Sequence, residues 1–234
     1  MPMRRGPQAA RQAVPLEGWL PPGPSDVMAL RAVLQEDPSG SLITEVLDAM
    51  VADRLSDASL RLLPVLHPLL VGREFNHPAV ARIAGFYRQT RGRNLVLAHT
   101  AAAVIAALDE RGNAGICSRG LASALAYYPD LGMRPTADIN VMAPAEVDLG
   151  ELQRTLTTRG GLQMTSKFIS RRSLVLSDAR GFNIAIRSVL DESTRVMLPD
   201  DVLVRDSVSV AVVADQLAVL SPEYLFCDVI NRGL

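Results

Sequence analysis

Residues 115–143, GICSRGLASALAYYPDLGMRPTADINVMA, decide how the chain is read. GICS is a short apolar run of strand character, and GLASALAYY, starting at Gly120, is a short helix. PDLGMRPTA is a loop of turn-forming residues, and DINVMA is a second strand. Strand side chains alternate between faces, so Asp138 and Asn140 point one way while Ile139 and Val141 point to a core. Two polar residues at i and i+2 opening a strand, after a flexible Gly-Arg-Pro loop, predict a ledge facing solvent. A pair of carboxylates there would share a divalent cation through hard oxygen ligands. The later run FNIAIRS (182–188) alternates in the same way. Phe182, Ile184 and Ile186 face inward, and Asn183, Ala185 and Arg187 face the other side. Packed beside Asp138, that strand would bring Asn183 close to the ledge.

Outward from this stretch, residues 26–113 read as a helical region. SLITEVLDAMVADRL repeats Leu42, Val46, Leu47 and Met50 on one face, and NLVLAHTAAAVIAALDERG does so with Leu97, Ala101, Val104, Ile105 and Leu108. Pro64, Pro68 and Pro78 cut the region into short helices. RQTRGRN (88–94) is a small basic cluster, read as a solvated turn between helices. Residues 1–25, rich in Pro, Gly, Arg and Gln, read as a flexible leader that Trp19 would pin to the body. Downstream, Pro144–Gly160 reads as a helix opened by its proline. The strand-like runs KFI, SLVLS, FNIAIRS, VSVAVV and LAVL follow it. A final helix starts at Ser221-Pro222-Glu223. Helix and strand alternate and then strands dominate, which predicts an α+β fold: a mixed sheet with flanking helices, preceded by a helical N-terminal region.

From Gly115 to Leu149 the chain resembles an uncharacterised bacterial nucleotidyltransferase family of the DNA polymerase beta superfamily. The residues that carry the resemblance are Ser118-Arg119-Gly120, Tyr128-Pro129-Asp130, Arg134 and Asp138-Ile139-Asn140, with Arg93-Asn94 upstream and LAVLSPEYLF downstream. The resemblance runs from about residue 80 to the end, with residues 114–234 forming the nucleotidyltransferase-like core. It implies transfer of a nucleoside monophosphate from an NTP to a small-molecule, peptide or protein acceptor. It also implies magnesium as cofactor, held by three carboxylates as two ions, one activating the acceptor oxygen and one stabilising the leaving pyrophosphate. By this resemblance Asp138, Asn140 and Asn183 are the catalytic positions, and Asp138 and Asn140 the metal positions. Arg119 and Gly120 would hold the triphosphate, and Arg134 would steady its phosphates.

The departures from the family pattern bear directly on activity. Where the family has a second carboxylate this chain has Asn140, where it has a third it has Asn183, and where it has lysine it has Arg119. The histidine that usually follows the third carboxylate is Ala185. Neutral amides can bind magnesium but do not offset its charge. Even changes behind the ligands typically cost roughly 10–100-fold in affinity or activity. Arg187, on the same face beyond Asn183, would add positive charge where a cation is meant to sit. Two readings follow: an enzyme of reduced or lost activity in which arginines grip phosphates, or a catalytically inactive binding or adaptor module. The family usually continues past the Ser-Pro-Glu helix, so the core is expected to be truncated, with an uncovered flank open to a protein partner.

Composition narrows the remaining classes. The net charge of −1 gives no global basic field and argues against nucleic acid as a partner. No apolar run near the start is long enough for a signal peptide or a membrane span, so a cytoplasmic protein is expected. Cys117 and Cys227 are expected to be reduced, buried thiols. His67, His77 and His99 lie at no metal-ligand spacing. Among 24 basic residues Lys167 is the single lysine, so any phosphate contact falls to arginine.

Overall fold

The computed structural model describes residues 22–158, 165–169, 172–188, 200–212 and 215–233. Trp19 and most of the expected leader lie outside these residues. Two hydrophobic cores share one helix. The first is built from α1 (Pro24–Leu34), α2 (Gly40–Val51), α3 (Asp57–Leu60), the 3-10 turn Leu63–Leu66 and α4 (His67–Gly72). It buries Ile43, Val46, Leu47, Met50, Leu63, Leu66 and Leu70 with Ala79 and Ile83. Ser39 and Ser56 cap α2 and α3 through their side-chain oxygens. Pro64, Pro68 and Pro78 each stand in the first turn of a helical segment, where the missing N–H costs nothing. Proline thus divides this region as its positions predict.

Ala79 and Ile83 belong to α5 (Pro78–Asp109), a helix of 32 residues. Its second half enters the other core through Leu97, Ala101, Val104, Ile105 and Leu108. The helical region therefore does not end cleanly before the sheet: α5 is common to both, and the change of core falls between Ile83 and Leu97. RQTRGRN, expected as a turn between helices, lies wholly within α5. Nothing in it stops a helix, since Gly92 only weakens one and no proline follows Pro78 before Pro129.

The second core surrounds a seven-stranded mixed sheet among the described residues. In chain order it holds β1 (Ile116–Ser118), β2 (Asp138–Met142), β3 (Thr165–Ile169), β4 (Ser173–Ser177), β5 (Asn183–Arg187), β6 (Val208–Val212) and β7 (Asp215–Val219), in the spatial order β3-β4-β5-β2-β1-β7-β6. Strands β2 and β5 run parallel, as do β1 and β7; the other neighbours are antiparallel. The helices are α6 (Arg119–Ala126), α7 (Leu149–Thr158), α8 (Asp200–Arg205) and α9 (Pro222–Gly233). This is the α+β fold the sequence pattern predicts. Residues 144–148 are not helical, contrary to the expectation of a helix from Pro144. Asp148 instead accepts the backbone N–H groups of Gly150 and Glu151 at 2.9 and 3.0 Å and starts α7 there. Cys117 is fully buried, and loss of solvent pushes its thiol up to about 12. Cys227, expected to be buried, is exposed on α9. Among the described residues no helix is long and apolar enough to cross a membrane.

Candidate active site

Register assigns each strand residue to one face of the sheet. Ile139 and Val141 of β2 pair with Ile184 and Ile186 of β5, and these with Leu176 and Leu174 of β4; Val141 also pairs with Cys117. That face is uniformly apolar and belongs to the same core as the second half of α5. The opposite face mixes polar and apolar residues and falls into rows. Ser177, Asn183 and Asp138 form the first row, Val175, Ala185, Asn140 and Ser118 the second, and Ser173, Arg187, Met142 and Ile116 the third. The polar ledge thus consists of the first two rows. The structure brings Asn183 directly beside Asp138, as the alternation of FNIAIRS predicts.

The ledge is not the solvent-facing pair expected on β2. Asp138 is half-buried and Asn183 exposed, but Asn140 is only 3% exposed. Its row partners are Ala185 and Ser118. Ser118 donates its hydroxyl to the Asn140 carbonyl at 3.4 Å, while the Asn140 side-chain Oδ1 has no hydrogen-bond partner. A buried acceptor without a donor costs on the order of 1–3 kcal/mol. Arg187 is not beside Asp138. It lies two rows away, at roughly 3.3 Å per residue about 13 Å along the strand, next to Met142 and Ser173.

The first row of the ledge is pinned from outside the sheet at the entries to β2 and β5. Arg93 of α5 donates from Nη2 to the carbonyl of Ala137 at 3.1 Å, fixing the entry to β2. Its guanidinium also lies 5.0 Å from the centre of the Phe182 ring, at the entry to β5, with Arg180 at 5.6 Å. The turn between β4 and β5 is organised by Asp178. Its Oδ1 accepts the N–H groups of Arg180 and Phe182 at 3.0 and 2.9 Å, and its Oδ2 accepts Arg180 Nε at 2.8 Å. Burial alone would raise this carboxyl, but these N–H donors and the Arg180 charge hold it below the usual carboxylate range.

The loop between α6 and β2 is held by Asn94, which is fully buried and donates from Nδ2 to the carbonyls of Leu131 and Arg134 at 2.8 and 2.7 Å. Within the loop, Arg134 donates to the Tyr128 hydroxyl at 3.3 Å and stacks 5.5 Å from the centre of that ring. Its Nε is buried without a partner. Arg119 adopts φ +65°, the left-handed region disfavoured for a residue with a side chain. Its Nε lies 3.9 Å from the buried carboxylate of Asp228 on α9. A Cβ at Gly120 would stand 3.6 Å from the methyl of Thr136, whose buried hydroxyl also has no partner. Arg119 and Gly120 therefore form the turn beside Ser118 at the second row, and Arg134 stands in the loop that leads to Asp138.

Of these groups, Thr136, Asp178 and Asp228 carried no signal that marked them in the sequence, and Phe182 was marked only as an inward-facing strand residue. Asp228 lies far from Arg119 along the chain, with strands β2 to β7 between them in sequence. Arg93 and Asn94 stood out through the resemblance, as did Arg119, Gly120, Tyr128, Arg134 and Asp138. As a cation site, the ledge supplies one carboxylate, Asp138, with two amides. That donor set does not fit a two-magnesium centre. Among the described residues no group of three His, Cys, Asp or Glu side chains could hold a metal ion.

A solved structure of an antigenic nucleotidyltransferase-like protein from Paracoccidioides brasiliensis is similar at 15% identity, with a TM-score of 0.38. The similarity covers 55% of this chain and 62% of that one, so it spans less than two thirds of that protein's chain. No curated protein matches the sequence. Residues 53–233, from the end of α2 through α9, match the family described as uncharacterised nucleotidyltransferase, a longer span than the resemblance from residue 80. The chain belongs to that nucleotidyltransferase family.

Proposed function

We propose that this nucleotidyltransferase-family protein binds a nucleoside triphosphate at the ledge of β2 and β5, and that its transfer of a nucleoside monophosphate to an acceptor is much reduced or lost. The observation that carries the proposal is the register pairing of Asp138 with Asn183, with Asn140 buried in the next row. Where two cations would need several anionic ligands, the first two rows contain one. Magnesium enters here only as part of the Mg-NTP substrate, facing Asp138. The triphosphate would lie along the Arg119–Gly120 turn, where backbone groups stand next to Ser118 and Thr136.

Calorimetric titration of Mg-ATP and the other Mg-NTPs into the chain and into Asp138→Ala tests both halves, alongside an assay for released pyrophosphate. Saturable binding that Asp138→Ala abolishes, without pyrophosphate release, is the expected result. Magnesium-dependent pyrophosphate release would overturn the claim of lost catalysis. A folded chain that binds no nucleotide would overturn the claim of a nucleotide site and leave the adaptor reading.

A further inference from the structure

Helix α5 turns Phe86, Gln89 and Arg93 to one side at steps of three and four residues. Facing this stripe are Leu60 and Arg61 from the helical region and Thr136 from the loop that enters β2. Together they line a pocket of about 230 Å³ at the junction of the two cores. The volume equals that of about seven or eight waters, too little for a nucleotide and enough for a substituted ring. The pocket is separate from the ledge but contiguous with it, because Thr136 also forms the wall behind Gly120 and Arg93 also holds Ala137.

The lining is chemically one-sided. It contains no acidic side chain, and neither Arg61 nor Arg93 is paired with a carboxylate among the described residues. Two arginines therefore line a space whose other walls include Leu60 and Phe86. Gln89 at the rim can donate or accept, and Thr136 is 5% exposed with a hydroxyl lacking any partner. An occupant with an apolar body and an anionic group meets both kinds of wall: its anion matches the arginine forks and its body covers Leu60 and Phe86.

We propose that this junction pocket is a second ligand site, for a small organic anion with an aromatic or aliphatic body, its acidic group a carboxylate or a phosphate monoester. The site stands on its own lining and does not depend on nucleotide binding at the ledge. The test uses the intact chain titrated with phenyl phosphate and phenylacetate, followed by calorimetry and ligand-observed NMR. Phenethylamine keeps the shape with opposite charge, and inorganic phosphate keeps the charge without the body. At least one aromatic anion should saturate the chain, with both controls at least tenfold weaker. Tighter phenyl phosphate marks a phosphate monoester, and tighter phenylacetate marks a carboxylate. Arg61→Gln, an exposed position whose change leaves the cores intact, should weaken the anion at least tenfold and leave Mg-ATP titration unchanged. Arg93→Gln should weaken it similarly, and Asp138→Ala should not. Absence of binding of both anions to the folded chain at millimolar concentration overturns the site. Equal binding of phenethylamine or of inorganic phosphate does so too, as does indifference to both arginine changes.

Discussion

Asp138 and Asn183 are register partners on the parallel strands β2 and β5 and share the ledge face of the sheet. Asn183→Asp would set two carboxylates side by side, which raises the affinity for a divalent cation and, without one, sets like charges against each other. Asn140→Asp acts differently because the position is buried: an unpaired carboxylate there should cost several kcal/mol of stability or take up a proton. We expect the double variant to be less stable than the parent in EDTA and to recover in millimolar magnesium, because a cation that binds only the folded state stabilises it. Thermal melts with and without magnesium, together with calorimetry, measure both effects. A double variant that binds magnesium no better than the parent would remove Asp138 from the centre of the site.

Arg119 holds a left-handed backbone conformation at the junction of β1 and α6. Arg119→Gly and Arg119→Ala both lose the approach to Asp228, so the difference between them isolates the backbone. The glycine variant should be the more stable by about 1 kcal/mol, since a Cβ in this conformation costs roughly 1–2 kcal/mol and glycine's extra freedom when unfolded offsets part of that. Urea denaturation of the two variants measures it. An alanine variant as stable as the glycine variant would mean that the turn relaxes out of this conformation.

Asp178 links stability to pH. Its folded carboxyl is held below the usual range by the Phe182 and Arg180 N–H groups and the Arg180 charge, against the opposing effect of burial. A depressed folded value means that its contribution is present above the unfolded value of about 3.9 and is lost as pH falls through the folded one. The chain should therefore lose stability on acidification below about pH 4. Asp178→Asn should be destabilised at neutral pH by about 1.5–3 kcal/mol, the range for hydrogen bonds to a charged group. It should also show a shallower acid dependence. Denaturant midpoints between pH 3 and pH 7 check this; parallel pH profiles for parent and variant would assign the acid sensitivity to other carboxylates.

The ledge was legible because DINVM and NIAIR alternate with period two, and period two names a face without any knowledge of the partner strand. Register then follows from matching apolar faces, Ile139 with Ile184 and Val141 with Ile186. What alternation does not encode is the cover over a face. Asn140 reads as solvent-facing, yet it is only 3% exposed, and burial of that kind is set by tertiary packing that no local pattern records. Arg187 shares the face of Asn183, yet a face extends the full length of a strand, and being on it is not being near Asp138. RQTRGRN reads as a turn from its composition, but helix propensity summed over α5 and the absence of proline outweigh one glycine there. The approach of Arg119 to Asp228 joins the first strand to the last helix, beyond the reach of any local pattern.

The two thiols should separate cleanly. Cys227 is exposed on α9, whereas Cys117 is buried between β2 and β7, with its thiol pushed up to about 12 by desolvation. Because the thiolate is the reacting species, a disulfide reagent at pH 8 should label one thiol quickly and the second only on unfolding. Cys227→Ser should abolish the fast phase. Two fast thiols in the native protein would contradict the burial of β1.

Asn94 connects the two halves of the molecule to the ledge, since it lies on the shared helix α5 and bonds the loop on both sides of Gly132 and Met133. Removing its amide leaves the Leu131 and Arg134 carbonyls without that donor, at about 1–3 kcal/mol for a buried group left unmatched. The loop cannot easily shift to compensate, because a Cβ at Gly132 would already stand 2.7 Å from the Tyr87 ring, itself stacked 4.0 Å from His67. Asn94→Ala should therefore destabilise the chain and also loosen the approach to Asp138, weakening Mg-ATP binding several-fold. Ile83→Val is the matched control: it thins the helical core by one methylene, costs about 0.5–1.5 kcal/mol and lies in the core of the helical region. Measured well below both melting transitions, nucleotide affinity should fall in Asn94→Ala and hold in Ile83→Val. If it falls equally in both, the loss reflects general stability, and Asn94 does not position the ledge.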